Sequence, residues 1–194
     1  MPELNVPPPE PLVIDKLVIY DTASTKLYLR DAKVYGFCNA AINSIYTDSD
    51  RQHFEFDLSI KHLRMNATYD FDIHILTQIT HKGKVHVTTD FANVKLGIDF
   101  KTTTKNGVKH AYASKTKARL DVKEFNYEFD ETEKELVDLH KILNNVVTTN
   151  EEEMRRKVIP SLEKEISKKM ISIFNDMFRH TRYEEIFPET TQII

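Results

Sequence analysis

The chain has 194 residues, is 40% hydrophobic and sets 27 basic side chains against 30 acidic ones, for a formal charge of −3. That size and balance suit one globular domain with a sizeable core and argue against disorder. The mixed charges leave no basic field for nucleic acid, and no apolar run is long enough to span a bilayer.

In chain order, the opening "MPELNVPPPEP" is polar and proline-rich. Residues 1–10 are expected to be a flexible N-terminal segment of a single domain covering residues 1–194. The opening is not a signal peptide, so the protein either stays inside the cell or has lost its signal. "LVIDKLVIYD" and "KLYLRDAKVYGF" read as two strands, the second interrupted by Gly36. Cys38 follows Phe37 and precedes Asn39, and reads as a buried, inert thiol. It is the only cysteine, so no internal disulfide forms and the core alone must hold the fold.

From Phe54 onward a period of two dominates, the mark of half-buried strands. Phe54, Phe56, Leu58 and Ile60 point one way, and Met65, Ala67, Tyr69, Phe71, Ile73 and Ile75 form the next apolar face. "HKGK" (residues 81–84) reads as a glycine turn, with the pattern resuming at Val85 and Val87. That hairpin would place His81 opposite Lys84 and His86 opposite Ile79. His74 would then lie too far away for the three histidines to share a metal, so they read as solvated strand residues. Phe91 is followed by Val94, Leu96, Ile98 and Phe100, and the extra residue near Ala92-Asn93 reads as a bulge. "KNGV" (residues 105–108) is a second turn; after it Ala118, Leu120 and Val122 alternate, then Phe125, Tyr127 and Phe129.

The chain ends in helical periodicity. Leu136, Leu139, Leu143 and Val146 mark a short helix over 133–147. Asn150 with Glu153 then forms a capping box for a long one. "EEEMRRK" reads as its solvated first turns, with the acids at the positive dipole end. Pro160 predicts a kink or a restart. Val158, Leu162, Ile166, Met170, Phe174 and Phe178 step by four, and Ile159, Ile173 and Met177 fill in beside them. Their arc is about twice the width of an ordinary surface helix's apolar stripe. A long, curled antiparallel sheet wrapped round this one helix would cover both apolar faces. The fold class is therefore α+β.

No nucleophile elbow, phosphate loop, dinucleotide fingerprint or metalloprotease helix is present, so no enzyme activity, metal or cofactor is expected. The inward faces collect Met65, Tyr69, Phe71, Ile73, Phe91, Leu96, Ile98 and Phe100 from the central strands. Leu120 and Phe125 join them from the later strands, and Ile166, Met170, Phe174 and Phe178 from the helix. Taken alone, the pattern favours a plain packed core. The alternative is a tunnel too long to fill, lined by aromatics and adaptable methionines.

The ending "LHKILNNVVTTNEEEMRRKVIPSLEKEISKKMISIFNDMFRHTRYEEIFPE" resembles the C-terminus of insect takeout and juvenile-hormone-binding proteins. Asn144, Pro160, Phe187 and Pro188 match that family's marks. "PPPEPLVIDKLVI", "DAKVYGF" and "ATYDFDIHILTQITHKGKVHVTTDFANVKL" resemble its opening, its early strand and its hairpin, so the likeness runs from about Pro11 to Pro188. The resemblance implies a curved sheet round one helix, enclosing an elongated hydrophobic tunnel. It also implies a secreted carrier of a small lipophilic molecule: a juvenile-hormone-like terpenoid, a fatty-acid-like lipid, a quinone or a carotenoid. The family's signal peptide and N-terminal cysteine pair have no counterpart in this sequence. On this reading Tyr69 orients the ligand's polar head, and replacing Phe174 with lysine abolishes binding. The competing readings are a protein-interaction module with a filled core and, last, a lipid-modifying enzyme.

Overall fold

The computed structural model describes residues 10–48, 52–74, 78–130, 141, 145, 151–179 and 181–187. Seven strands form one antiparallel sheet: β1 (Leu12–Asp21), β2 (Thr25–Tyr35), β3 (Ala41–Asp48), β4 (His53–His74), β5 (Gln78–Lys105), β6 (Val108–Val122) and β7 (Asn126–Phe129). The main path runs β1-β2-β4-β5-β6, with β3 beside the first part of β4 and β7 beside the first part of β5. Among the described residues the helices with full ranges are α1 (Glu151–Phe178) and the short α2 (Tyr183–Ile186). The curled antiparallel sheet with one long C-terminal helix is the architecture the periodicity predicts.

The helix touches both ends of the path, packing on β6 and on β1, so it lies across the open side of the curved sheet. Its polar side chains protect the free edge of β6. The Ala113, Ala118 and Leu120 N–H groups donate to Asn175 Oδ1 (2.8 Å), Ser167 Oγ (2.8 Å) and Glu163 Oε1 (2.9 Å). Asn175 Nδ2 returns a bond to the Ala113 carbonyl. A row of unpaired edge donors thus meets helix acceptors instead of another chain. Ile166 is buried, and the other described apolar side chains of α1 are half-buried. The helix therefore closes the mouth of the sheet without being swallowed by it. It continues through Pro160, which is exposed, with no restart. Asn150 and Ile75 lie outside the described residues, as does the short helical pattern over 133–147 apart from Lys141 and Asn145, which are helical.

Several local expectations change. Strand β5 passes straight through Lys82-Gly83: His74 pairs with Gln78, Phe71 with His81 and Asn66 with His86. The chain therefore does not reverse at the glycine, and the described ladder runs on to the His74–Gln78 pair. The second expected turn, at residues 105–108, is present and joins β5 to β6: Asn106 and Gly107 have φ angles of 52° and 78°, which need residues that tolerate left-handed backbone. Strand β3 breaks the period of two, because a bulge between Ile42 and Ser44 puts Ile42 and Ile45 on the same face, opposite Leu58 and Phe56. Cys38 is exposed, not buried. It lies two residues after Gly36, whose φ of 113° ends β2, and its N–H donates to Glu10 Oε1 at 2.7 Å.

Phe91 does not face inward, contrary to the expected alternation. The inward residues of β4 switch from even to odd numbers between Ile60 and Met65, and those of β5 switch from odd to even between Thr89 and Ala92. The register holds on both sides, with Lys61 opposite Phe91 and Leu63 opposite Thr89. His62, at φ 58°, faces Asp90 across this paired irregularity. The break thus comes before Phe91, not after it, and turns Phe91 outward at 44% exposure.

Candidate functional site

Between the sheet and the first half of α1 lies a hollow of about 340 Å³. Strands β1 and β2 contribute Ile19, Leu27 and Leu29; β4 gives Met65 and Tyr69; β5 gives Val85 and Val87. Phe125, Tyr127 and Phe129 form the wall along β7, and Arg155, Val158 and Leu162 project from the helix. A smaller space of about 70 Å³ adjoins it through Met65, Val87, Phe125 and Leu162, and reaches Leu120 and Ile166. The larger volume is within the roughly 300–1,000 Å³ of small-molecule sites, and its lining is apolar and aromatic as such sites require.

Five expected lining residues therefore border empty space: Met65, Tyr69, Leu120, Phe125 and Ile166. The other nine line neither space. Phe100, Phe174 and Phe178 join Phe54 and Phe187 in a packed aromatic cluster, with ring centroids 5.2–6.2 Å apart, the spacing of favourable edge and tilted contacts. Lysine at Phe174 would thus strike packing first, not the hollow. Phe71, Ile73, Leu96 and Ile98 are buried in the main core, and Met170 packs against it. The liners from β1, β2 and β7 were absent from the expected set. Their signal was the ordinary alternation of those strands.

Tyr69 is 1% exposed, and burial raises its hydroxyl pKa, so the phenol stays neutral. Its Oη is 2.8 Å from His81 Nδ1, and its ring meets Phe129 edge-on at 5.2 Å. His81 thus belongs to the inner face, where straightening the supposed turn puts it. His74 and His86 are exposed, as expected. Arg155 breaks the solvated pattern of "EEEMRRK" by lining the hollow, whereas Arg156 is exposed and pairs with Glu152.

Two further hollows, of about 350 and 510 Å³, lie on the outer face of β4, β5 and β6 among charged side chains such as Glu55, Asp57, Lys95, Lys117 and Arg119. At their edge His53 lies between Asp99 and Glu55; chiefly the hydrogen bond to Asp99 raises its pKa. Among the described residues, no cluster of histidine, cysteine or carboxylate side chains is placed to hold a metal, and no helix is long and apolar enough to cross a membrane.

The model of the haemolymph juvenile hormone binding protein family matches residues 1–188. Takeout 1 of Epiphyas postvittana has a similar structure: TM-score 0.72 over 95% of this chain and 86% of that one, at 19% identity. That likeness shows the fold. Lipopolysaccharide binding protein reaches only TM-score 0.34, at 11% identity, over 89% of this chain and 37% of its own, which is too weak to argue from. No curated protein sequence matches the chain significantly.

Proposed function

The chain belongs to the haemolymph juvenile hormone binding protein family, and from that premise we propose that it is a non-enzymatic carrier of one elongated hydrophobic molecule. The observation that supports this most is the apolar hollow of about 340 Å³ between the sheet and the first half of α1. Each methylene transferred there from water contributes about 0.8 kcal/mol, enough for a modest chain to bind tightly without any chemistry. The family name and the lining favour a terpenoid ester or fatty-acid-like lipid, with quinones and carotenoids as longer candidates. Tyr69, the buried hydroxyl beside the hollow, is the residue we assign to orient a polar head. A family of haemolymph proteins also favours a secreted location.

Organic extraction of the purified protein, followed by mass spectrometry and titration with a fluorescent fatty-acid probe, tests the reading. A stoichiometric long-chain or terpenoid molecule, or saturable displacement of the probe by such a molecule, is expected. An empty extract together with failure to bind the probe would overturn the carrier reading in favour of an interaction module.

A further inference from the structure

We propose that Gly83 sets the length of chain that the hollow accepts, by providing the seat for the Tyr69 ring; this rests on the carrier reading above. Gly83 stands directly opposite Tyr69 in the β4–β5 ladder. A methyl group at Gly83 would come within 2.6 Å of Tyr69 Oη and 2.8 Å of Cε1 and Cζ, closer than van der Waals contact allows. The backbone there is part of a continuous strand and not left-handed, so the conformation does not demand glycine. Glycine weakens a strand interior, and in that setting it marks a close approach. What approaches is the Tyr69 ring.

That ring lines the hollow. His81 holds its hydroxyl at 2.8 Å, and Phe129 stands edge-on to it at 5.2 Å. With those two neighbours beside it, a ring pushed off residue 83 moves into the hollow and shortens it. Removing the ring while keeping Gly83 does the reverse. Gly83 is thus a positioning residue, acting through Tyr69 on the length preference of the site.

The test uses the full chain and a graded series of saturated fatty acids, each displacing a fluorescent fatty-acid probe. Wild type should gain affinity with length up to a cut-off. Gly83→Ala should lower that cut-off, with about fourfold weaker binding for each methylene that no longer fits. Tyr69→Leu should raise it, and the double variant should recover the lengths that Gly83→Ala loses. Opposite shifts from the two single changes are not produced by general loss of stability. If Gly83→Ala fails to fold, the cut-off of Tyr69→Leu decides. An unmoved cut-off in the folded variants, or a shift in the same direction in both, overturns the proposal while leaving the carrier reading intact. Wild-type protein that binds no member of the series overturns the carrier reading, and this inference with it.

Discussion

At one end of the interior, Phe54, Phe100, Phe174, Phe178 and Phe187 meet ring against ring. At the other end, Tyr69 and Tyr127 each meet Phe129, yet about 340 Å³ stays empty beside them. Aromatic content therefore does not separate the two. The helix does: its second half projects Phe174 and Phe178 toward Phe100 of β5, whereas its first half projects Val158 and Leu162 toward Val85 and Val87. Large meets large at the filled end. Small meets small at the hollow end, and the space between is left over.

The sharpest way to break this comparison is to shrink the filled end. Phe100 is 7% exposed and touches four other phenylalanine rings. Phe100→Ala should cost about 3–5 kcal/mol of stability in urea denaturation, while the remaining folded protein keeps its affinity for the fatty-acid probe. A large loss of affinity in folded protein would join the two regions into one site.

Overfilling gives the next effect. Ile98→Phe, at a fully buried position near the filled end, should destabilise by about 1–3 kcal/mol. Leu162→Phe, facing the hollow, should shift stability by less than about 1 kcal/mol, because there is room for the ring. It should instead weaken probe binding at least about tenfold. Equal destabilisation by both variants would mean that the hollow is filled in solution.

The smallest effect concerns the outer face behind the filled end, where His53 and Asp99 stand opposite each other one step from Phe54 and Phe100. The His53 pKa is raised above its ordinary 6.5. Its protonated form thus stabilises the fold fully below 6.5, and that contribution fades as pH rises through the raised value. His53→Gln should lower the melting temperature more near pH 6 than near pH 8, without altering probe affinity. A pH-independent difference would rule out the charged clasp.

Much of the fold was legible because its strands are long and one-sided, and the arc of α1 announced a cover on two sides. The exceptions have local causes. Asn43 sits in a bulge that hid β3, and the paired break at His62 and Asp90 turned Phe91 outward. Gly83 looked like a turn signal but serves contact with Tyr69, which also concealed His81 on the inner face. Exposed Cys38 showed no pattern to read. The site was half legible: alternation placed Met65, Tyr69 and Phe125 inside, but which inward rings pack and which border space depends on pairing across the interior, which a linear pattern does not encode.

The central claim is that an apolar ligand occupies the end bounded by β1, β2 and β7, not the phenylalanine end. A photoactivatable fatty acid, bound to the full chain, cross-linked and mapped by peptide mass spectrometry, tests it most directly. Labels are expected on β7 and on α1 around Val158 and Leu162. Labels concentrated at Phe174 and Phe178, or none above an unbound control, would contradict it.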